Sequence, residues 1–190
     1  MSFIENNDWS VNKIQPIAID KIYHHVWPNC EVIELDNDHR DSLKKILDIS
    51  GSDKLIKFED KTVAFLGQRF RRYDNTRDHD DFTLRVWNYV TNDNVEFKKV
   101  VTAFDNNRHV SHYYAYGHVN KEENGFTRFR IINFPAFLKQ YTDRRLLPDQ
   151  KIPTNSGDAE FLCWKFSRIP RNLIMFDSTR KRPLEAFFGA

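Results

Sequence analysis

The sequence KLIKFEDKTVAFLGQRFRRY, residues 54–73, carries the clearest fold signal in the chain. KLIKF is a short apolar run, EDK is a polar tripeptide, and TVAFLGQRFRRY is a longer run of apolar and aromatic residues that ends in arginines. Two such runs separated by a short polar turn are typical of antiparallel strands. The segment therefore predicts a β-hairpin whose second strand is long and ends in basic residues.

Side chains of a strand point alternately to its two faces, so this second strand is predicted to have two different surfaces. One face carries Val63, Phe65, Gly67, Arg69 and Arg71. The other face carries Ala64, Leu66, Gln68, Phe70 and Arg72. The strand is therefore either a basic surface strand or the inner edge of a site that handles phosphate.

The rest of the chain predicts two more hairpins, with helices before and after the sheet. FTLRVWNYV (82–90) and VEFKKVVTAF (95–104) form one predicted strand pair, and HVSHYYAYGHV (109–119) and FTRFRIINF (126–134) form the other. Helices are predicted for DNDHRDSLKKILDISG (36–51) and PAFLKQYTDRRL (135–146). The expected fold class is α+β, with a central mixed, mostly antiparallel sheet built from hairpins and flanked by helices.

The domain organisation is predicted to be simple. We expect one domain over residues 1–190, in which IQPIAIDKIYHHVW (14–27) is a short strand or helix and EFLCWKFSRIPRNLIMF (160–176) returns as a strand, with or without a short helix. The Pro- and Ser-containing stretch near 147–158 is predicted to be a mobile loop. The tail DSTRKRPLEAFFGA (177–190) combines a basic cluster with an apolar end.

Composition limits the class of protein. The chain has 190 residues, 40% hydrophobic and 14% aromatic, which suits a globular domain with a real core. The net charge of +2 argues neither for nor against nucleic acid, so only the distribution of charge is informative. Two distant cysteines give no zinc spacing, and no segment has the features of a signal peptide or a membrane span. We expect a cytoplasmic protein that does not contact membranes.

The first candidate site begins at Asp53, which directly precedes the strand KLIKF. An acid at the start of one strand, followed by a neighbouring strand with a basic end, is the layout of metal-dependent nucleases. In such enzymes, carboxylates hold Mg²⁺ beside the scissile phosphate, and a cationic side chain steadies the attacking water or the developing charge.

The run GSDKLIKFEDKTVAFLGQRFRRY (51–73), with DFTLRVWNYV, EFKKVVTA and YYAYGHV after it, resembles the core of PD-(D/E)XK, restriction-endonuclease-like nucleases. The resemblance covers roughly residues 38–141. It implies that Asp53 matches the metal-binding acid and that Arg69 takes the place of the catalytic lysine. The sequence departs from the family at Gly67, where members have an acid or glutamine. Either a bulge turns the adjacent Gln68 inward, or the second ligand is absent.

A second arrangement fits the literal acid…E-X-K pattern better. Asp81 precedes the strand FTLRVWNYV, and Glu96 and Lys98 would share one face of the next predicted strand. The competing interpretation is a solvated hairpin with alternating charges. In a third arrangement, Asp53 and Glu96 lie on neighbouring strands and share one ion.

The arginines also allow two interpretations. Arg69, Arg71, Arg72 and Arg85 either pair with the acidic loop RDHDD (77–81) or bind a nucleic-acid backbone. Exposed ion pairs contribute only about 0–1 kcal/mol each. Arginine also suits phosphate, and the interleaved aromatic residues of this region would stack on bases.

The leading hypothesis is a Mg²⁺- or Mn²⁺-dependent hydrolase, an endonuclease or exonuclease, with DNA favoured over RNA. The predicted metal ligands are Asp53 and Glu96; the wider catalytic set adds Gln68, Arg69 and Lys98; the predicted nucleic-acid contacts are Arg71, Arg72 and Arg85. Two alternatives stay open. One is a catalytically inactive nucleic-acid-binding module of the same fold, and the other is a structural or assembly protein of viral type that forms homo-oligomers.

Overall fold

The computed structural model describes residues 8–35, 51–75, 79–89, 96–153, 157 and 159–180, which contain nine strands in two sheets. The strands are β1 (Glu31–Glu34), β2 (Lys54–Lys57), β3 (Val63–Arg71), β4 (Asp81–Asn88), β5 (Tyr113–Val119), β6 (Phe126–Asn133), β7 (Gln150–Pro153), β8 (Ala159–Lys165) and β9 (Ile174–Asp177).

The helical regions flank these strands. The first region, α1, consists of four consecutive pieces, which are π-helical at Trp9–Ile14 and Ile19–Tyr23 and α-helical at Gln15–Ala18 and His24–Val26. Helix α2 spans Phe97–Asp105, helix α3 spans Phe134–Thr142, and a 3₁₀ turn covers Arg171–Leu173.

The larger sheet is mixed, as the sequence predicts. Its strand order is β1-β2-β3-β5-β6-β9, and β3 and β5 run parallel while the other neighbours are antiparallel. A second, antiparallel sheet has the order β4-β8-β7 and was not anticipated. The α+β class with flanking helices is therefore confirmed.

Local hydrogen bonds fix the two hairpins that the sequence predicts correctly. In the β2–β3 turn, the Asp60 carboxylate accepts the backbone N–H of Thr62 at 2.9 Å and its hydroxyl at 2.6 Å. In the β5–β6 turn, the Asn120 side chain accepts the backbone N–H groups of Asn124 at 3.0 Å and Gly125 at 3.2 Å. Side chains of Asp and Asn favour turns because they satisfy the backbone in this way.

The predicted strand pair formed by residues 82–90 and 95–104 is wrong. Residues 97–105 form helix α2, on which Phe97, Val100 and Ala103 are buried. This spacing of three residues matches the helical repeat, whereas a strand would bury every second residue. Strand β4 pairs with β8 instead, which lies far away in sequence.

Three other segments have different outcomes. The stretch 147–158, predicted to be a mobile loop, contains strand β7, which pairs with β8. The stretch 14–27 falls almost wholly in α1, so the helical alternative is the correct one. The helix predicted at 36–51 lies outside the described residues except for Gly51, and the tail lies outside them after Arg180.

Apolar side chains cover both faces of the larger sheet. On one face, α1 residues such as Ile22 pack against Leu66 and Ala115. On the other face, Tyr114 and Tyr116 join a cluster with residues of the second sheet, α2 and α3. The strand β3 is therefore enclosed between two layers. No helix in the described parts of the chain is long and apolar enough to cross a membrane.

The aromatic cluster around Phe82 provides a stability prediction. Phe82 has no exposed surface and its ring contacts Tyr114, Tyr116, Phe137 and Trp164. We expect Phe82→Ala to lower the free energy of unfolding by about 3–5 kcal/mol, because truncation loses buried area and leaves a cavity.

Urea denaturation measures this change. The control Leu147→Ala removes a large apolar side chain that is 52% exposed, and we expect it to change the free energy of unfolding by less than about 0.5 kcal/mol. Equal effects of the two substitutions would contradict the placement of Phe82 at the centre of this core.

Candidate functional site

Asp53 lies where the chain enters β2 beside the middle of β3. Its backbone N–H donates to the Leu66 carbonyl at 2.9 Å, and its carboxylate Oδ2 accepts the Gln68 N–H at 2.7 Å. The residue is exposed. Two bonds to the same stretch of β3 therefore hold a reachable carboxylate at a fixed position on the sheet.

Gly67, the departure from the family pattern, is required by this arrangement. A Cβ atom at position 67 would lie 2.6 Å from the Gly51 carbonyl oxygen and 2.8 Å from the Tyr114 ring. Atoms of side chains do not approach so closely without a shift of the backbone. An acid or glutamine at this position would therefore separate Gly51 from β3.

Gln68 does not replace the missing ligand. The pairing of β3 with β2 and β5 shows no register shift over this stretch, so there is no bulge to turn the side chain inward. The Gln68 amide oxygen instead accepts a hydrogen bond from the Tyr23 hydroxyl of α1. The predicted alternation of faces is confirmed, and the inward Gln68 is wrong.

Arg69, on the opposite face of β3, forms an ion pair with Glu96. The Arg69 Nη1 donates to Glu96 Oε2 at 3.3 Å, and the Tyr114 hydroxyl donates to Glu96 Oε1 at 2.8 Å. The side chains of Arg69 and Glu96 are 22% and 28% exposed. Both carboxylate oxygens of Glu96 therefore have a protein donor, and the ion pair remains reachable from solvent.

Asp53 acts on the same tyrosine. Burial, followed by the charge of Glu96, raises the pKa of Tyr114 well above its usual value; the charge of Asp53 adds to this rise and that of Arg69 opposes it. Hydrogen bonds join Arg69, Glu96 and Tyr114, and the charge of Asp53 acts on Tyr114; we call these four residues the Arg69 cluster. The third arrangement from the sequence, with Asp53 and Glu96 on neighbouring strands, is wrong about the second strand, because Glu96 immediately precedes helix α2.

Lys98 does not belong to this cluster. It lies on α2 and is exposed, two residues after Glu96, which immediately precedes the helix. Residues two apart on a helix do not face each other. The prediction that Glu96 and Lys98 share a strand face is therefore wrong, because the segment is helical.

An aromatic ring completes the surroundings of Arg69. The guanidinium carbon of Arg69 lies 4.3 Å from the centroid of the Phe161 ring, and that of Arg85 lies 5.8 Å from the same centroid. Phe161 is on β8, directly opposite Arg85 on β4. Cation–π contacts of this kind contribute about 0.5–2 kcal/mol. The second sheet therefore supplies both an arginine and an aromatic ring to the Arg69 cluster.

The other two arginines of β3 and its end have partners within the protein. Arg71 forms an ion pair with Asp81, the last residue of the acidic loop, as one of the two interpretations of the arginines predicts. The guanidinium carbon of Arg72 lies 4.3 Å from the centroid of a Trp9 ring in α1. These contacts attach β3 to β4 and to α1.

The sequence analysis missed a buried lysine on the other face of the sheet. The Lys54 side chain is 2% exposed, and its ammonium group donates to Gln15 at 2.7 Å and to Glu34 at 2.5 Å. Nearby, burial and the charges of Asp53 and Glu34 raise the pKa of Tyr23 well above its usual value. The available signal for the burial of Lys54 was its position in KLIKF, where it shares one strand face with the apolar Ile56.

The residues present do not fit a resident divalent cation bound by Asp53 and Glu96. Glu96 gives one oxygen to a guanidinium and the other to a tyrosine, and the guanidinium places a positive charge beside it. In the part of the chain that the structure describes, no group of three or more His, Cys, Asp or Glu side chains has the arrangement of a metal site. What the cluster offers is a half-buried arginine against an aromatic ring, which suits an anion.

Comparisons of the chain with models of protein families, with curated proteins and with solved structures found no match.

The close contact at Gly67 gives a second stability prediction. We expect Gly67→Ala to lower the free energy of unfolding by about 1–3 kcal/mol, because the new methyl group collides with the Gly51 backbone and the Tyr114 ring. The measurement is thermal or urea denaturation of the purified variant.

Gly125→Ala is the matched control, since the nearest atom to an added Cβ there is the Asn120 side-chain nitrogen at 3.7 Å. We expect that variant to keep the stability of the unmodified protein within about 0.5 kcal/mol. If Gly67→Ala were as stable as Gly125→Ala, the contact between Gly51 and β3 would not be as tight as described.

Proposed function

We propose that this protein binds nucleic acid at the Arg69 cluster, with Arg69 contacting a backbone phosphate and Phe161 and Arg85 lying beside the adjacent nucleotide. The observation that carries the proposal is the Arg69 guanidinium, which is 22% exposed, lies over the Phe161 ring and faces a carboxylate. An arginine held in this way is preorganised for an oxyanion, so little side-chain entropy is lost on binding.

Glu96 has a specific part in this proposal. Its carboxylate already occupies the anion position beside Arg69, at 3.3 Å. A phosphate that binds Arg69 therefore competes with Glu96, which is 28% exposed and can turn toward water. The competition lowers affinity for every phosphate equally, and it predicts that removing the negative charge at position 96 strengthens binding.

Aromatic and cationic side chains occur together around the cluster. The ring of Phe161 makes cation–π contacts with the guanidinium groups of Arg69 and Arg85. Trp87 lies two residues after Arg85 on β4. Proteins that bind single-stranded nucleic acid combine basic residues with aromatic rings on which bases stack. This combination supports single-stranded DNA as the first ligand to test, with RNA and duplex DNA as comparisons.

The test compares Arg69→Gln and Glu96→Gln with the unmodified protein by fluorescence anisotropy, using a labelled single-stranded DNA of about 20 nucleotides. We expect Arg69→Gln to weaken binding about tenfold and to reduce the salt slope by about one, because one phosphate contact is lost. We expect Glu96→Gln to strengthen binding about fivefold, equivalent to about 1 kcal/mol, because the competing charge is removed while an amide oxygen remains for Tyr114.

Arg108→Gln is the matched control, since Arg108 is an exposed arginine in the connection between α2 and β5. It should change affinity less than twofold, apart from its share of the general electrostatic attraction. Equal losses in Arg69→Gln and Arg108→Gln, or weaker binding in Glu96→Gln, would contradict the site.

A second candidate function is hydrolysis of phosphodiesters at the same cluster. The observation in its favour is that the charges of Asp53, Glu96 and Arg69 all act on Tyr114, since a cationic side chain can stabilise the charge that develops in phosphodiester cleavage. The effect of Glu96→Gln separates the two candidates, because a catalytic carboxylate would be needed for turnover, whereas a competing carboxylate opposes binding.

Cleavage assays with plasmid and single-stranded DNA in Mg²⁺ and in Mn²⁺ make this comparison. Under the binding proposal we expect the unmodified protein to cleave no faster than Asp53→Asn, Glu96→Gln or Lys98→Ala. If cleavage disappears in Asp53→Asn and Glu96→Gln but persists in Lys98→Ala, the protein is a nuclease and the binding proposal is wrong. Retention of activity in all variants would indicate a contaminating enzyme.

A further inference from the structure

A histidine with unsatisfied ring nitrogens lies next to the Arg69 cluster on the same face of the sheet. His118 on β5 pairs directly with Arg71 on β3 and with Arg128 on β6. Directly opposed residues of neighbouring strands point to the same face. Arg71, His118 and Arg128 therefore form a row across three strands, one step along β3 from the row that contains Arg69.

The burial of His118 calls for a physical explanation. His118 is 7% exposed, and neither nitrogen of its ring has a hydrogen-bond partner among the described residues. A buried polar group without a partner costs about 1–3 kcal/mol. Native proteins satisfy most such groups, so an unsatisfied one is a candidate for contact with a ligand.

The charges around this row favour an oxyanion over a cation. Arg71 and Arg128 belong to a set of ion pairs formed by four arginines and three aspartates. The arginines are Arg71, Arg128, Arg130 and Arg180, and the aspartates are Asp80, Asp81 and Asp177. His79 also contacts Asp74 and Asp81. The arginines hold the aspartates in ion pairs, so that a cation would have to compete with several guanidinium groups.

The imidazole itself is neutral at physiological pH. Burial, followed by the charge of Arg71, lowers the pKa of His118 to about 4, and Asp81 opposes this shift. A neutral imidazole has one N–H donor and one acceptor nitrogen. The donor can serve a phosphate oxygen directly. A bound phosphate dianion would also raise the pKa of His118, so that the ring takes up a proton and its second nitrogen becomes a donor.

We propose that Arg71, His118 and Arg128 form a site for a terminal phosphate, that is, for the phosphomonoester at one end of a nucleic-acid strand held at the Arg69 cluster. We favour a terminal group over an internal phosphodiester because His118 is only 7% exposed and the end of a strand needs less space than a continuous backbone. Arg69 and Arg71 are two residues apart on β3, or about 6.6 Å, which places the two phosphate contacts next to each other. The assignment of the ligand to a nucleic acid rests on the proposed function.

The first experiment needs no variant. Competition anisotropy compares three unlabelled single-stranded DNAs of one sequence, carrying a 5′-phosphate, a 3′-phosphate or neither. We expect one of the two phosphorylated ends to bind about tenfold more tightly than the unphosphorylated strand, with little gain from the other. Equal affinity of all three strands would overturn the terminal-phosphate site while leaving binding at the Arg69 cluster intact.

Variants then locate the effect. His118→Phe and Arg128→Gln should remove the preference for the phosphorylated end and leave the affinity for the unphosphorylated strand within about twofold. Arg108→Gln should keep the preference. A preference that survives in both His118→Phe and Arg128→Gln would place the end-binding group elsewhere.

Inorganic phosphate separates the site from the proposed function. Titration of the unmodified protein with phosphate, followed through the imidazole resonances of His118 by NMR, should shift those resonances and raise the pKa of His118 by at least one unit. If no nucleic acid binds but this shift occurs, the anion site stands and the proposed function fails. If oligonucleotides bind and phosphate leaves His118 unchanged at millimolar concentration, the anion site fails.

Discussion

The contact between the Gly51 carbonyl and Gly67 is the constraint on which the candidate site depends. The position that a Cβ would occupy on residue 67 lies 2.6 Å from this oxygen and 2.8 Å from the Tyr114 ring. Because residue 67 has only a hydrogen atom at this place, the backbone at Gly51, shortly before β2, can pack closely against the middle of β3. Asp53 follows two residues later and its carboxylate reaches the Gln68 N–H. The absence of a side chain at position 67 therefore positions the acid, which makes Gly67 a structural requirement and not simply a lost ligand.

Ion pairs connect the second sheet and α2 to the larger sheet. Glu96 at the start of α2 meets Arg69, and Asp81 at the start of β4 meets Arg71. A partly buried guanidinium is costly without an acceptor, so each arginine of this face binds an acid from another element. Such pairs do not by themselves add much stability, but they specify which elements lie together. The same pairing satisfies the carboxylates that a metal ion would need, and it places an internal competitor beside the arginine most suited to phosphate.

The sequence predicted the parts of the fold that local signals determine. The β2–β3 and β5–β6 hairpins have Asp60 and Asn120 in their turns, and the alternation of β3 correctly separated Gln68 from Arg69. Helix α2 was missed because its apolar residues also fit a strand over a short window, and its charged residues matched a catalytic pattern. The pairing of β4 with β8 joins segments about 80 residues apart, and no local signal in either strand specifies its partner.

The residues of the candidate site could be identified from the sequence, but the contacts between them could not. Asp53, Arg69, Arg85 and Glu96 were all identified from the sequence, yet their partners were not, because Phe161 and Tyr114 come from other strands. Lys54 was overlooked for a different reason. Lysine side chains are mostly exposed as a residue type, and only the three-dimensional arrangement supplies Gln15 and Glu34 as acceptors for a buried one.

Glu96 and His118 are neighbours of arginines on one sheet face, and the two side chains differ in what they offer an incoming anion. Glu96 neutralises Arg69 with a full negative charge, so a phosphate gains there only what remains after displacing a carboxylate. His118 adjoins Arg71 and Arg128 as a neutral ring and itself presents no charge to displace, while the two arginines pair with Asp81 and Asp80. A phosphate at His118 would instead gain hydrogen bonds to ring nitrogens that have no partner in the described part of the chain. Under the two proposals, a nucleic-acid strand that reaches both rows would meet a competing carboxylate at each row, and only the row of His118 would add hydrogen bonds from a neutral ring.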